Sequence, residues 1–380
     1  MRDFLKAVLR FLREADILLL VLCLTSSIIG IVLISSINSN LANNQVTVQV
    51  VAMILGVILF VVFSYLDIDI IADKSRFLIV FSALFILTLQ FWGVGLEDTG
   101  NRAWLRFFGI GIQPAEVVKV TFVIITAKML TDHKEKKSLN TFSSLLQIVA
   151  VFVLIFGLIV IISRDLGSAL VYLFILVIML FIGGLKLRWF ALGGAVVAVA
   201  ASFAWLNYFD QRYKDRILAP FIPDVIDPQR LDLLWQSDQS MKAIASGGFY
   251  GQGLGKGRIT QGGVIFAQST DFIFSAAGEE LGFIGCMFIV ILLLALIVRC
   301  IYVGAKSNSS LGMLVCSGIS AMLIAHTFEN IGMCLGLLPV IGISLPFFSY
   351  GGSYIVTCFA AAGIVSGIKM RPKPIRYRNM

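Results

Sequence analysis

The run Ile17–Ser36, ILLLVLCLTSSIIGIVLISS, holds no charged residue. A hydrocarbon core of about 30 Å takes about 20 helical residues to cross, so this stretch reads as a membrane helix. The leader before it, Met1–Ala15, carries Arg2, Lys6, Arg10 and Arg13. No small-x-small cleavage site follows, so a retained anchor is expected and not a cleaved signal. Similar apolar runs recur at about 47–65, 77–93, 114–130, 143–163, 166–184, 188–207, 272–299, 311–334 and 353–369. The reading is an all-α polytopic membrane protein of about ten transmembrane helices. A single membrane domain over 1–380 is expected, because no long polar block marks a second one.

Composition agrees. Of 380 residues, 58% are hydrophobic and 14% charged, with a mean hydropathy of +0.94. A soluble domain carries about 25% charged residues and needs far more polar surface to cover its core. The net charge of +8 does not point to nucleic acid. Its lysines and arginines collect in the leader, the short loops and the tail, as anchoring beside anionic lipid requires. Cys23, Cys286, Cys300, Cys316, Cys334 and Cys358 lie in or beside apolar runs without a CxxC pair. They read as small buried hydrophobes. His133 and His326 are far apart, and the sequence shows no metal cluster.

An even helix count puts both termini on one side. Alternate loops hold Lys74, Arg76, Lys134, Lys136, Lys137, Lys186, Arg188, Arg299 and Lys306, and the tail adds Arg371, Lys373, Arg376 and Arg378. The short loops on the other side hold Arg102, Arg106 and Arg164. The positive-inside rule then makes both termini cytoplasmic. Three segments fall outside: the loop Val94–Pro114, a large loop of about 208–271 between helices 7 and 8, and the interrupted stretch Leu337–Ser353. Backbone broken by Pro339, Gly342, Pro346, Gly351 and Gly352 is tolerated at membrane depth only where it packs on protein or lines a cavity.

The polar stretch Trp235–Gly285 ends at Asp271, where a new apolar run begins. Asp271 follows Ser269 and Thr270, natural N-cap residues. The macrodipole favours its ionised form, whereas an apolar wall would raise its pKa. Two readings stand here: an ordinary helix-start carboxylate, or a base facing the outer compartment. Glu279 and Glu280 lie roughly 80° and 180° around the helix from Asp271, so at least one faces away. Acids at this depth are expensive; both are expected to face the bundle interior and pair with something basic. Glu116 and Lys119, in GIQPAEVVK, share one face at i, i+3, with Pro114 at the helix start. They read as a helix-start salt bridge or as substrate-facing. The glycine run Gly247–Gly257, with Lys256 inside, lets backbone approach a ligand or forms a flexible loop. A P-loop would need glycine where Tyr250 stands and serine or threonine where Gly257 stands. Arg102, Arg212, Arg216, Lys242, Lys256 and Arg258 are the outer basic residues that suit a diphosphate.

Five blocks in this order resemble the SEDS family of peptidoglycan glycosyltransferases, represented by RodA and FtsW. They are QPAEVVK (113–119), RDLGSAL (164–170), QSDQSMKAIASGGFYGQGLGKG (236–257), TDFIFSAAGEELGFIG (270–285) and ENIGMCLGLLPVIGISLPFFSYGGS (329–353). The resemblance covers nearly the whole chain. It implies a GT-C-like multi-pass protein of the bacterial cytoplasmic membrane with its active site on the outer face. It implies polymerisation of lipid II onto a lipid-linked nascent glycan, with release of undecaprenyl diphosphate and inversion. By the same resemblance Asp271 is the essential aspartate and general base, and Glu116 and Lys119 are the family's pair. Arg102, Gln239, Ser240, Lys242 and Lys256 are the remaining substrate-binding candidates. The implied partners are a class B penicillin-binding protein and other elongasome or divisome membrane proteins; no nucleic acid is involved. A divalent cation, Mg or Mn, is expected beside the diphosphate, without a dedicated protein cage.

The chain departs from the family pattern in places. Phe266 and Ala267 replace Pro-Glu before the aspartate, Arg164 replaces Pro, Trp235 replaces Tyr, and the basic neighbour of Trp104 is displaced to Arg102. The ending VIGISLPFFSYGGS is more RodA-like than FtsW-like; a division paralogue or a sporulation (SpoVE-type) paralogue is the alternative. A lipid II flippase or transporter would also suit intramembrane acids and a broken helix. Against it, the polar residues concentrate on one side and no inverted repeat is seen.

Overall fold

Ten long helices run through the residues that the computed structural model describes, which are 11, 13–37, 44–95, 101–107, 110–229 and 232–371. They are α1 (Ile17–Ile37), α2 (Gln45–Tyr65), α3 (Ser75–Trp92), α4 (Pro114–Glu135), α5 (Phe142–Leu158), α6 (Leu166–Gly183), α7 (Leu187–Asn207), α8 (Ile273–Lys306), α9 (Ser310–Cys334) and α10 (Gly352–Met370). A π-helical turn, Ile159–Ser163, extends α5. Each helix matches one apolar run of the sequence to within a few residues, save at the end of α8. Among the described residues nine are long and apolar enough to cross a membrane; α4, which carries Glu116, Lys119, Lys128 and Asp132, is the tenth long helix. Arg2, Lys6, Arg10, Lys373, Arg376 and Arg378 lie outside the described residues.

Both ends of the described chain meet at one end of the bundle. Asp16, fully buried before α1, accepts two bonds from Arg299 Nε of α8, at 2.9 and 3.1 Å, and its amide donates to Ser366 Oγ of α10 at 3.0 Å. Arg371 pairs with Asp67 at 2.6 Å and with Asp69, on the connection between α2 and α3. The helices alternate from there, so α4, α6, α8 and α10 all begin at the opposite end. That end carries every feature the sequence placed outside.

The centre of the bundle is α4, α6, α9 and α10. Small side chains let α10 approach α2 closely: Gly363 lies on the Phe60 backbone and Gly56 on the Phe359 ring. Such contacts dominate membrane interfaces, where lipid is as apolar as leucine. By contrast, α7 buries none of its residues.

Between α3 and α4 lies a small antiparallel sheet: β1 (Gly93–Val94), β2 (Trp104–Phe107) and β3 (Ile110–Ile112), in that order. Val94 sits opposite Trp104, and Leu105 opposite Ile112. Strands of two to four residues leave no readable alternation, so the all-α reading passed over them.

The stretch between α9 and α10 is non-helical and packs on protein, as its prolines and glycines predicted. Phe347 and Phe348 are buried there, and Phe347 adopts a left-handed φ of 66°. Gln49 of α2 donates to the Ser349 carbonyl at 3.0 Å and accepts from the Gly351 amide at 3.2 Å. Its broken backbone is thereby satisfied inside the bundle.

Candidate active site

Asp271 sits in the turn that leads into α8. The Ala267 carbonyl accepts the amides of Thr270, Asp271 and Phe272 at 3.2, 3.0 and 3.0 Å. Phe272 is the N-cap residue, and no side chain caps the helix. The Asp271 carboxylate is therefore not used as a cap. Its main chain is held at three successive carbonyls. Tyr350 N donates to Ser269 O at 2.8 Å, Ser349 Oγ donates to Thr270 O, and Asn330 Nδ2 donates to Asp271 O at 2.7 Å. Asn330 Nδ2 also donates to Ile343 O at 2.7 Å. Loss of water raises the Asp271 carboxyl to about 6; the Asp165 carboxylate adds to this, while the Thr270 hydroxyl and Arg216 oppose it.

Asp165 caps α6. Its carboxylate accepts the Ser168 amide at 2.9 Å, the Ser168 hydroxyl at 2.7 Å and Gln113 Nε2 at 2.9 Å. Gln113 precedes α4, and its amide donates to Ser353 Oγ of α10 at 3.2 Å. The starts of α4, α6 and α10 are thereby tied together around Asp271. Arg164, which stands where the resemblance expects proline, has φ 55°. Proline is locked near −65° and cannot take that conformation, so the backbone here follows the departure. Of the outer basic residues, Arg216 is the one brought to Asp271; its Nε donates to Val340 O at 2.7 Å.

On α4, Glu116 and Lys119 form a buried ion pair, with Lys119 Nζ 2.7 Å from Glu116 Oε2 and Lys119 0% exposed. The sequence left open a salt bridge or a substrate-facing role; the geometry is the salt bridge, closed off by a third member. Lys119 Nζ also donates to His326 Nε2 at 2.7 Å, and His326 Nδ1 donates to Ser344 O at 3.1 Å. This assigns the neutral Nδ1–H tautomer, since Nε2 faces an ammonium. The ring stacks on Tyr354 at 4.8 Å. His326 escaped the sequence reading. Its position four residues before Asn330 puts both on one face of α9, which was the available signal.

Glu279 and Glu280 face the interior as expected, but the expectation of a basic partner is corrected. Among the described residues neither makes an ion pair. Glu279 accepts the amides of Ile259 and Thr260 at 2.9 and 2.8 Å and the Thr260 hydroxyl at 2.6 Å. Glu280 accepts from Gly255 N and Gln261 Nε2, both at 3.2 Å. Of these donors Gly255 N belongs to the glycine run, and Ile259, Thr260 and Gln261 lie in the short helix Arg258–Gln261, which follows that run. The close approach the run's glycines allow is to α8 itself. At Gly282, φ 66° and ψ −164° break α8 in a conformation reserved for glycine. The carbonyls of Glu279 and Glu280 are taken by Gln252 N and Gly253 N at 2.9 and 3.0 Å, and Phe283 N donates to Gly248 O at 2.9 Å. The kink is thus fully paired by the loop.

The other candidates scatter. Ser240, fully buried, bonds to Ser275 Oγ and to Cys334 O at 2.7 Å, so it fastens the helix Trp235–Gly247 to α8 and α9 and offers no face to a substrate. Gln239 is buried beside it. Lys242 pairs with Asp238 at 2.6 Å on the exposed side of that helix. Lys256 is exposed on the glycine loop. Arg102 leans on Gln90 at 3.4 Å beside the small sheet, with its amide on Ser163 O at 2.9 Å. None of these contacts joins it to Asp271. No three His, Cys, Asp or Glu side chains converge as a metal cage among the described residues. Asp165, the nearest acid, has its oxygens taken by Ser168 and Gln113.

Comparison with known proteins follows this geometry. The family model for FtsW, RodA and SpoVE, described as "Cell cycle protein", matches residues 14–373. A probable peptidoglycan glycosyltransferase FtsW from Geobacter sp. (strain M18) is 34% identical over 76% of this chain and 76% of its own length. The peptidoglycan glycosyltransferase MrdB of Escherichia coli K12 is 29% identical over 84% of each. A solved structure described as the structural coordination of polymerization and crosslinking by a peptidoglycan synthase complex superposes with a TM-score of 0.80 at 26% identity, covering 96% of this chain and 99% of that one. The crystal structure of RodA from Thermus thermophilus shares the fold, with a TM-score of 0.68 at 24% identity over 93% and 96%. With a match that runs from before α1 to beyond α10, the chain belongs to the FtsW, RodA and SpoVE family of multi-pass membrane proteins.

Proposed function

We propose that this chain polymerises glycan strands from lipid II at the outer face of the bacterial cytoplasmic membrane, with Asp271 as general base. The observation that carries the reading is the Asp271 carboxylate. It is half-buried, caps no helix, and is mounted on a main chain held at three carbonyls. A base with a pKa of about 6 is ionised at neutral pH, which suits proton abstraction at that pH.

The acceptor GlcNAc 4-hydroxyl gives its proton to Asp271. Its oxygen attacks the anomeric carbon of the donor MurNAc, and the bond to the diphosphate breaks. Undecaprenyl diphosphate leaves with the electron pair, and an α-linked donor gives a β-1,4 product in one displacement. Arg216 stands beside the base to offset diphosphate charge. Glu116, Lys119 and His326 act by holding the floor of the site, since the ion pair is buried. A divalent cation would have to arrive on the diphosphate.

The 26% identical neighbour described as a synthase complex supports a transpeptidase partner, a class B penicillin-binding protein. The VIGISLPFFSYGGS ending favours an elongation role. The FtsW name of the 34% identical relative favours division as the second reading; loss of rod shape on depletion selects the first and filamentation the second. The activity is tested with purified protein and labelled lipid II, with and without the partner. Glycan chains that disappear with Asp271→Asn are expected, since a general base contributes about 10²–10⁴-fold. Chains that persist in that variant would overturn the assignment. Lipid II crossing liposomes without polymer would turn the reading to a flippase.

A further inference from the structure

At the end of the bundle opposite Asp271, a cavity of about 360 Å³ opens between the C-terminal ends of α8 and α10 and the start of α9. Lys306, Lys369, Arg371 and Asp69 supply its charged lining, with Tyr302 and Ser309 beside them. These charges are unequally engaged. Arg371 is held by Asp67 and Asp69. Lys369 Nζ donates to Ala15 O at 3.3 Å and lies 3.7 Å from Asp16, whose carboxylate already accepts both bonds from Arg299. Lys306 makes no ion pair among the described residues; it lies over the Tyr302 ring at 6.0 Å. Four cations thus meet three carboxylates, and the surplus rests on Lys306.

Ser309, on the cavity wall, is the N-cap of α9, and its hydroxyl accepts the Gly312 amide at 3.4 Å. Along α8, Leu294, Val298 and Tyr302 succeed one another at i, i+4, i+8 with 52%, 61% and 51% exposure. An apolar stripe therefore leads away from the cavity along the lipid-facing side.

We propose that this cavity binds a phosphate-bearing anion, namely the headgroup of an anionic phospholipid whose acyl chains lie along α8. Lys306 and Lys369 contact the phosphate. The test uses the full-length protein in nanodiscs of phosphatidylcholine with added phosphatidylglycerol, with retained lipid counted by native mass spectrometry. Wild type is expected to retain phosphatidylglycerol over phosphatidylcholine. Each lysine removed, Lys306→Gln and then Lys369→Gln, weakens retention about five-fold. Asp69→Asn, which removes the one carboxylate of the lining, strengthens it. In a parallel arm, inorganic phosphate is titrated against thermal unfolding in neutral detergent. Phosphate protection lost in the lysine variants, without phosphatidylglycerol preference, would overturn the lipid source. Equal phosphatidylglycerol retention by wild type and the double variant would overturn the site. If the double variant misfolds, Lys306→Gln alone decides, because that side chain is exposed.

Discussion

Replacing Asn330 by alanine isolates the support beneath Asp271 without touching the carboxylate. One amide nitrogen donates to Asp271 O and Ile343 O, each at 2.7 Å. Alanine leaves both carbonyls without that donor at a fully buried position. Each acceptor left dry costs about 1–3 kcal/mol, so the fold loses roughly 2–6 kcal/mol before relaxation. The chemical effect is separate. The turn 267–272 keeps its own bonds to Ala267 O, so Asp271 shifts and does not unfold. A displacement of about 1 Å at a reacting group costs about 10²-fold. Asn330→Ala is expected to lower kcat by about that factor with KM nearly unchanged, because Asn330 meets the main chain of the base. The assays are polymerisation of labelled lipid II over a range of substrate concentrations and thermal unfolding in the same detergent. A variant that is destabilised yet keeps wild-type kcat would show that main-chain support is irrelevant to the base. One with unchanged stability would refute the hydrogen-bond geometry itself.

Other outcomes follow from the same structure. The base must be ionised to act, so log kcat/KM should fall with unit slope as pH drops below about 6; a flat profile down to pH 4.5 would count against Asp271. Gly282→Ala forces a Cβ into the Gly251 amide and into a φ/ψ region closed to other residues. It should lower the unfolding midpoint in a thermal melt; the strain alone is about 1–3 kcal/mol. His326→Phe keeps the stacking on Tyr354 but removes the Lys119 acceptor, leaving one donor of a buried ammonium unmet. A stability loss of about 1–3 kcal/mol is expected, and His326→Gln, which can still accept, should recover part of it in the same unfolding assay.

The helices were legible because lipid imposes a single requirement, about twenty apolar residues in a row. The run 188–207 shows its limit: hydropathy finds α7 but cannot tell that none of its residues is buried. Asp271 was legible as a helix-start acid, and its neighbours were not. Asn330, Ser349 and Tyr350 come from 59 to 81 residues further along the chain, Asn330 on α9 and the other two on the non-helical stretch before α10, and only tertiary packing brings them to the turn. Glu279 misled for a physical reason. A buried carboxylate needs donors, and the sequence suggested a cation, whereas the Ile259 and Thr260 amides and the Thr260 hydroxyl fill the role without any positive charge. The glycine run misled in the same direction, since glycine reports close approach without saying to what.

The break at Gly282 also sets a depth. A helix of 34 residues would be about 51 Å long, well beyond a hydrocarbon core of about 30 Å. The 24 residues from Phe283 to Lys306 give about 36 Å and suffice by themselves. The two turns before the break are then free of the obligation to cross and stand as a plinth in the headgroup layer. In the proposed reaction Asp271, on that plinth, would stand level with the sugars and diphosphate of a lipid-linked substrate whose polyprenyl tail stays in the bilayer.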